Sequence, residues 1–237
     1  MKPLRAALVV LVLMSSLAAQ APTKHAHAPG KHPQPATKPA PAPMKPGVER
    51  WSVKTSLPDG ADPTHAKAVV FADLIALADP PGVKHNDPRF QSLRIPAFAN
   101  SLNVKEGDLL TVNAWLFLVA AENDGDYHIQ VSASPQSGDH CLIVEVPKDD
   151  PAYVSSAALR PLFQSVRAFL KIRTLQDQEP SPSGSVMAHP PYVQVTGQLF
   201  YDDSHFGDAP RGKKNMHAAT LWELHPVAAM KFAPNPK

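Results

Sequence analysis

Residues 109–147 read LLTVNAWLFLVAAENDGDYHIQVSASPQSGDHCLIVEVP. Leu109 to Ala121 is a long apolar run with the length of an extended strand, and it stops at Asn123-Asp124-Gly125. Asp-Gly is the pairing a tight hairpin favours, because glycine takes a positive φ at little cost. Asp126 to Ala133 then alternates, with Tyr127, Ile129 and Val131 on one face and Asp126, His128 and Gln130 on the other. Pro135 to Gly138 makes a second turn. His140 to Val146 is apolar on both faces, as a central strand would be, until Pro147 ends it.

Toward the C-terminus, Leu159, Leu162, Phe163, Val166 and Leu170 follow helical spacing and predict a helix over 155–172. Ser155 or Ser156 is its expected cap, and Pro161 fits only near the first turn. Arg160, Arg167, Lys171 and Arg173 are expected on its outer face. Tyr192 to Tyr201 alternates as a strand, with Gly197 marking a bulge or bend. A polar loop, Asp202 to Asn215, leads to a last strand from Thr220 to about Phe232, interrupted by Pro226. Three strands, a helix and two strands is the order of the five-stranded OB barrel, whose helix bridges the third and fourth strands. The expected fold is therefore mainly β (α+β), an OB-like five-stranded barrel with one bridging helix. Another small α+β sheet has the same string of elements.

Upstream the signals are weaker. Trp51 to Leu57 alternates as a strand would. Thr64 to Ala78 reads as a helix with a stripe of Val69, Val70, Leu74 and Leu77, stopped by Pro80-Pro81. A short strand is expected around Leu93 to Phe98.

The N-terminus carries an address. Lys2 and Arg5 precede an uninterrupted apolar run, Ala6 to Met14, and Ala19-Gln20-Ala21 fits a signal-peptidase site. The run is too short to span a bilayer, which needs about 20 residues. Residues 1–21 are thus read as a signal peptide and the protein as exported, periplasmic or extracellular, with no transmembrane segment after cleavage. No Cys follows the run to carry a lipid anchor. Residues 22–47 form a Pro/Ala/Lys/His-rich tether without acidic residues, expected to be extended and disordered. Such a tether suits an anionic envelope surface, or serves as a plain spacer. Residues 48–237 remain for a single globular domain, and the chain's 43% hydrophobic content is enough for a core. The net charge of +2 gives no strong nucleic-acid signal. The single cysteine, Cys141, excludes an intrachain disulfide and reads as a buried small hydrophobe.

Strand periodicity sets Asp126 and His128 on one face, and Glu223 and His225 on one face of the last strand. Asp124 lies at the hairpin tip, and His205 sits with Asp202 and Asp203 in the polar loop. Asp124, Asp126, His128, His205, Glu223 and His225 are the candidate ligand or metal cluster, since carboxylates with imidazoles suit a divalent ion or an acid–base pair. None of the spacings matches a zinc signature. Each also has a plain reading: Asp126 and His128 as the wet face of an edge-like strand, Asp124-Gly125 as a turn, Glu223 and His225 as orienting a loop through Tyr201, His205 or backbone.

Four stretches, Glu122–His128, Leu142–Pro147, Val195–Asp202 with His205, and Trp222–Val227, together resemble a group of exported bacterial proteins of uncharacterised function. That resemblance covers Leu109 to Val227 and implies a small β-rich domain without an assigned activity. Asp124-Gly125-Asp126 is also similar to the Asp-Gly-Asp hairpin of staphylococcal-type nucleases, which have an OB barrel and bind calcium. There carboxylates hold the metal and arginines brace the phosphate. Here Tyr127 stands where those nucleases have Thr, and no Arg occurs between Lys105 and Tyr153.

Three functions follow as expectations. The first is a noncatalytic envelope or extracellular binding module without a cofactor, whose ligand the sequence does not name. The second is a divalent-metal-dependent, nuclease-like phosphodiesterase using Asp124, Asp126 and Glu145, with calcium as its metal. The third is a purely structural envelope protein. Convergence of the His and carboxylate positions in one pocket is what separates a site from a scatter of surface groups.

Overall fold

The computed structural model describes residues 49–236. The signal peptide and the tether expected from the sequence lie outside the described residues. The chain runs α1 (Trp51–Lys54), β1 (Lys67–Ala68), α2 (Phe71–Ile75), β2 (Leu109–Ala121), β3 (Tyr127–Ser132), β4 (Cys141–Val146), α3 (Arg160–Ala168), β5 (Ser185–Val186), β6 (Tyr192–Tyr201) and β7 (Ala218–Phe232).

The protein is mainly β, and β2, β3, β4, β7 and β6 close into a barrel. Its long first strand makes closure possible. The first half of β2 pairs antiparallel with β6, from Leu109↔Gln198 to Trp115↔Tyr192. Its second half pairs with β3, to Ala121↔Tyr127. A register shift between Leu116 and Leu118 separates the halves. Such a bulge adds twist and bends the strand. Leu116 and Val119 consequently enter the core, while Phe117, Leu118 and Ala120 pack outside against Met216. β4 and β7 pair in parallel, at Val144↔Leu224, and β7 pairs antiparallel with β6. Short β1 and β5 lie along β2.

The barrel interior holds Leu110, Val112, Ile129, Val131, Leu142, Val144, Val195, Leu199 and Leu224, all buried. Helix α3 bridges β4 and β6 in sequence and adds Phe163 and Val166 to that core, with Leu170 from the π-helical turn Phe169–Thr174 that continues it. The strand order and bridging helix fit the OB-like expectation. Tyr127, Ile129 and Val131 point inward as their alternation predicts, and Gly197 marks an irregularity in the β6–β7 pairing. A Cβ at Gly197 would lie 3.0 Å from the Pro226 carbonyl oxygen. Glycine thus lets the two backbones approach closely.

Several local expectations fail. Trp51 to Leu57 is not a strand: α1 follows Arg50, whose backbone is left-handed at φ 57°. The Arg50 guanidinium is drawn into the structure by Glu106, and tertiary contacts override the weak alternation. Thr64 to Ala78 is not one helix. Lys67 and Ala68 pair with Leu110 and Thr111, so their backbone joins the sheet and α2 starts only at Phe71. Val70 of the expected stripe is 63% exposed. No strand forms at Leu93 to Phe98. α3 begins at Arg160, with Pro161 in its first turn and no side-chain cap from Ser155 or Ser156. Arg167 turns toward the barrel, donating to the Gly125 carbonyl at 3.0 Å and lying 3.5 Å over the Tyr127 ring. β7 is not interrupted at Pro226, because the residue lies within the register shift opposite Gly197, where a missing N–H is tolerated.

Candidate functional site

The outer face of β3, β4 and β7 is unusually polar for a buried surface. Antiparallel pairing sets His128 opposite Glu145. Parallel pairing of Val144 with Leu224 brings the next residues, Glu145 and His225, side by side. Asp126 enters from the hairpin just before β3, and Glu223 precedes His225 on the same face of β7. These residues do not form the wet face of an edge strand. β3 lies between β2 and β4, and Asp126, His128, Glu145, Glu223 and His225 are all buried. Above them a cleft of about 460 Å³ is lined by Lys54 of α1, the Glu122–Asp124 hairpin and the Asp202–Lys213 loop.

Most of the buried carboxylates have a cation committed to them. Arg211 bonds both Asp202 and Glu223. His128 Nδ1 meets Glu145 Oε1 at 2.9 Å. Gln130 determines the protonation that His128 needs. Its Nε2 donates to the Met216 carbonyl at 3.1 Å and its Oε1 accepts from Lys213 N–H at 2.7 Å. That oxygen therefore faces His128 Nε2, at 3.3 Å. Both imidazole nitrogens thus face acceptors, which calls for the doubly protonated ring. Burial alone would lower the His128 pKa, but the Glu145 bond and charge raise it.

Among the described residues, the salt-bridge partner of Asp126 is His225 alone. Asp126 is 0% exposed, yet among the described residues neither carboxylate oxygen has a hydrogen-bond partner. His225 is also 0% exposed, and neither ring nitrogen is hydrogen-bonded among the described residues. Its Nε2 lies 3.2 Å from Asp126 Oδ2, and its Nδ1 lies 3.3 Å from Glu145 Oε2 and 3.6 Å from Glu223 Oε2. Asp126, Glu145 and His225 each offer one ligand atom, and these atoms lie within 4.8 Å of one another. Burying polar groups without partners costs roughly 1–3 kcal/mol each, more when they are charged. Burial opposes charge on His225, but Asp126, Glu223 and Glu145 outweigh it and push its pKa up to about 10. Burial likewise opposes charge on Glu223, and Arg211 holds that carboxyl below its ordinary range.

Of the candidate residues, Asp126, His128, Glu223 and His225 come together. Asp124 stays at the rim, accepting from Asp126 N–H at 3.2 Å. Burial, then the Asp126 charge, push the Asp124 carboxyl up to about 6. His205 also lines the cleft but pairs with Asp208 at 3.1 Å, away from the trio. Glu223 orients the polar loop through Arg211, and its carboxylate bonds neither Tyr201 nor His205. Glu145 is absent from the candidate cluster although its position carried a signal, as the lone charge in the apolar run Cys141–Val146. Lys54 and Arg211 carried none, because the first was read within a strand and the second within an unstructured loop.

Compared with protein-family models, curated proteins and solved structures, the chain finds no match. Among the described residues, no helix is long and apolar enough to cross a membrane.

Proposed function

We propose that this chain is an exported, OB-like binding module that holds a divalent cation through Asp126, Glu145 and His225. One observation carries the reading: Asp126 and His225 are wholly buried, lack hydrogen-bond partners among the described residues, and each place a ligand atom within 4.8 Å of one on Glu145. A cation there would take up one orphaned atom each of Asp126 and His225 and oppose the carboxylate charge. One imidazole nitrogen with carboxylate oxygens suits zinc or manganese better than calcium, which prefers six to eight oxygens. His128 would orient Glu145 from behind, as outer-shell partners of metal ligands do. The cleft lies on the second and third barrel strands, between the loops that OB folds use for ligands. Export rests on residues 1–21, and the basic tether would set the module's reach from an anionic surface.

The test is the metal content of the purified chain after dialysis against zinc or manganese. We expect about one equivalent, as a single site of this kind holds. Asp126→Asn and His225→Ala should fall to background while remaining folded. Folded wild-type protein that retains no metal refutes the proposal.

A phosphodiesterase is the second reading. It is favoured by the closeness of Asp126 to Glu145, which lines a cleft together with Lys54 and Arg211. It requires metal-dependent hydrolysis of a phosphodiester such as bis-p-nitrophenyl phosphate. Metal-loaded protein without that activity leaves the binding module.

A further inference from the structure

The ammonium of Lys54 is a further cation buried at this site. Lys54 ends α1, is 7% exposed and lines the cleft. An ammonium offers three donors. Among the described residues its one hydrogen bond is to Glu49 Oε2, and that is long, at 3.5 Å. Arg211 and His128, by contrast, are each bonded to specific carboxylates, Arg211 to Asp202 and Glu223 and His128 to Glu145. Lys54 is therefore buried by charge rather than by hydrogen bonds. Burial disfavours its charged form, yet Glu145, Asp126 and Asp202, with Glu49, raise its pKa above the ordinary lysine value. Two of those carboxylates belong to the trio proposed to hold the cation.

The backbone beneath Lys54 is firmly anchored. Trp51 Nε1 donates to the Tyr153 carbonyl at 3.0 Å, and Arg50 is tied to Glu106. The flexible lysine stem, not α1, is thus the part free to respond to a new charge.

We infer that Lys54 is a tethered counter-cation that competes with the divalent ion for the field of Asp126 and Glu145, and so sets the affinity of the site. This rests on the metal reading above. A divalent ion entering the trio would repel the ammonium through a poorly screened interior, and the lysine would swing toward Glu49 and the cleft mouth. Apparent affinity would then be the intrinsic affinity of the trio reduced by the work of displacing Lys54.

The experiment is a calorimetric titration of the full chain with zinc chloride, and separately with manganese chloride. The proteins are wild type, Lys54→Met, Lys54→Arg and Lys54→Met/His225→Ala, each checked for folding by its thermal transition. Methionine keeps most of the stem's volume and removes the charge, so Lys54→Met should bind about tenfold more tightly or better. Lys54→Arg keeps the charge and should stay close to wild type. Adding His225→Ala to Lys54→Met should abolish the gain, which locates it at the trio. Wild-type binding that Lys54→Met leaves unchanged or weakens overturns the counter-cation role while the metal reading stands. If neither wild type nor Lys54→Met binds either ion, both fall.

Discussion

Arg50→Met should be among the most destabilising single substitutions in this protein. The Arg50 guanidinium and the Glu106 carboxylate form a two-pronged pair at 2.7 and 2.6 Å, with side chains 2% and 0% exposed. The arginine also donates to the carbonyls of Phe90, Leu93 and Tyr201. Glu106 in turn accepts from the backbone N–H groups of Ile95 and Tyr201. Methionine fills similar space but leaves Glu106 charged and buried and takes the guanidinium from three carbonyls, of which that of Phe90 still accepts from Leu93 N–H at 3.3 Å. Removing one partner of a buried pair costs about 3–5 kcal/mol. The two surviving backbone donors soften the loss at Glu106, while the abandoned carbonyls add to it, so we expect about 4 kcal/mol. For a domain of this size that corresponds to a fall of roughly 8–16 °C in melting temperature. The assay is urea denaturation with a parallel thermal scan, comparing wild type, Arg50→Met and Arg50→Met/Glu106→Gln. Glutamine removes the stranded charge and still accepts from Ile95 and Tyr201, so the double variant should regain about 1–2 kcal/mol. A single-variant loss below about 1 kcal/mol, or a double variant no better than the single, would refute this account of how the segment before β1 is fastened.

Two further predictions concern the barrel and its acid limit. Phe163→Ala removes a ring that α3 buries completely, and should cost about 3–5 kcal/mol, read as a lower urea midpoint with unchanged m-value. Asp87 accepts from Arg89 at 2.9 and 2.6 Å, and this bond above all holds its carboxyl well below the ordinary value despite the opposing effect of burial. A depressed folded pKa means that the stabilisation is complete above the unfolded value near 4 and fades as pH falls through the folded one. The gap in urea midpoint between wild type and Asp87→Asn should therefore be widest at neutral pH and narrow below about pH 4; a gap that widens in acid contradicts it.

The β elements from Leu109 onward were legible because each obeys a local rule. β2, β3 and β6 follow their strand patterns closely, and the turn glycine Gly125 adopts φ 96° where Asp-Gly asks for it. Inward and outward faces also followed from alternation alone: Glu223 and His225 do point away from the core that Trp222 and Leu224 enter. Residues 49–98 were misread for the opposite reason. Their conformation is imposed by distant partners, Glu106 on Arg50 and the edge of β2 on Lys67 and Ala68, and tertiary pairing outweighs weak local preference.

Periodicity along the chain was sufficient to say which strands exist and which way their side chains face. It was silent on what lies over an outward face. Asp126, His128, Glu145, Glu223 and His225 became a buried cluster only because α1 and the loop before β7 fold across them. Burial is a property of two surfaces brought together, whereas alternation describes one strand. The strength of charge in the cleft follows from that burial, since a carboxylate's field is weak in water and strong beneath a layer of protein.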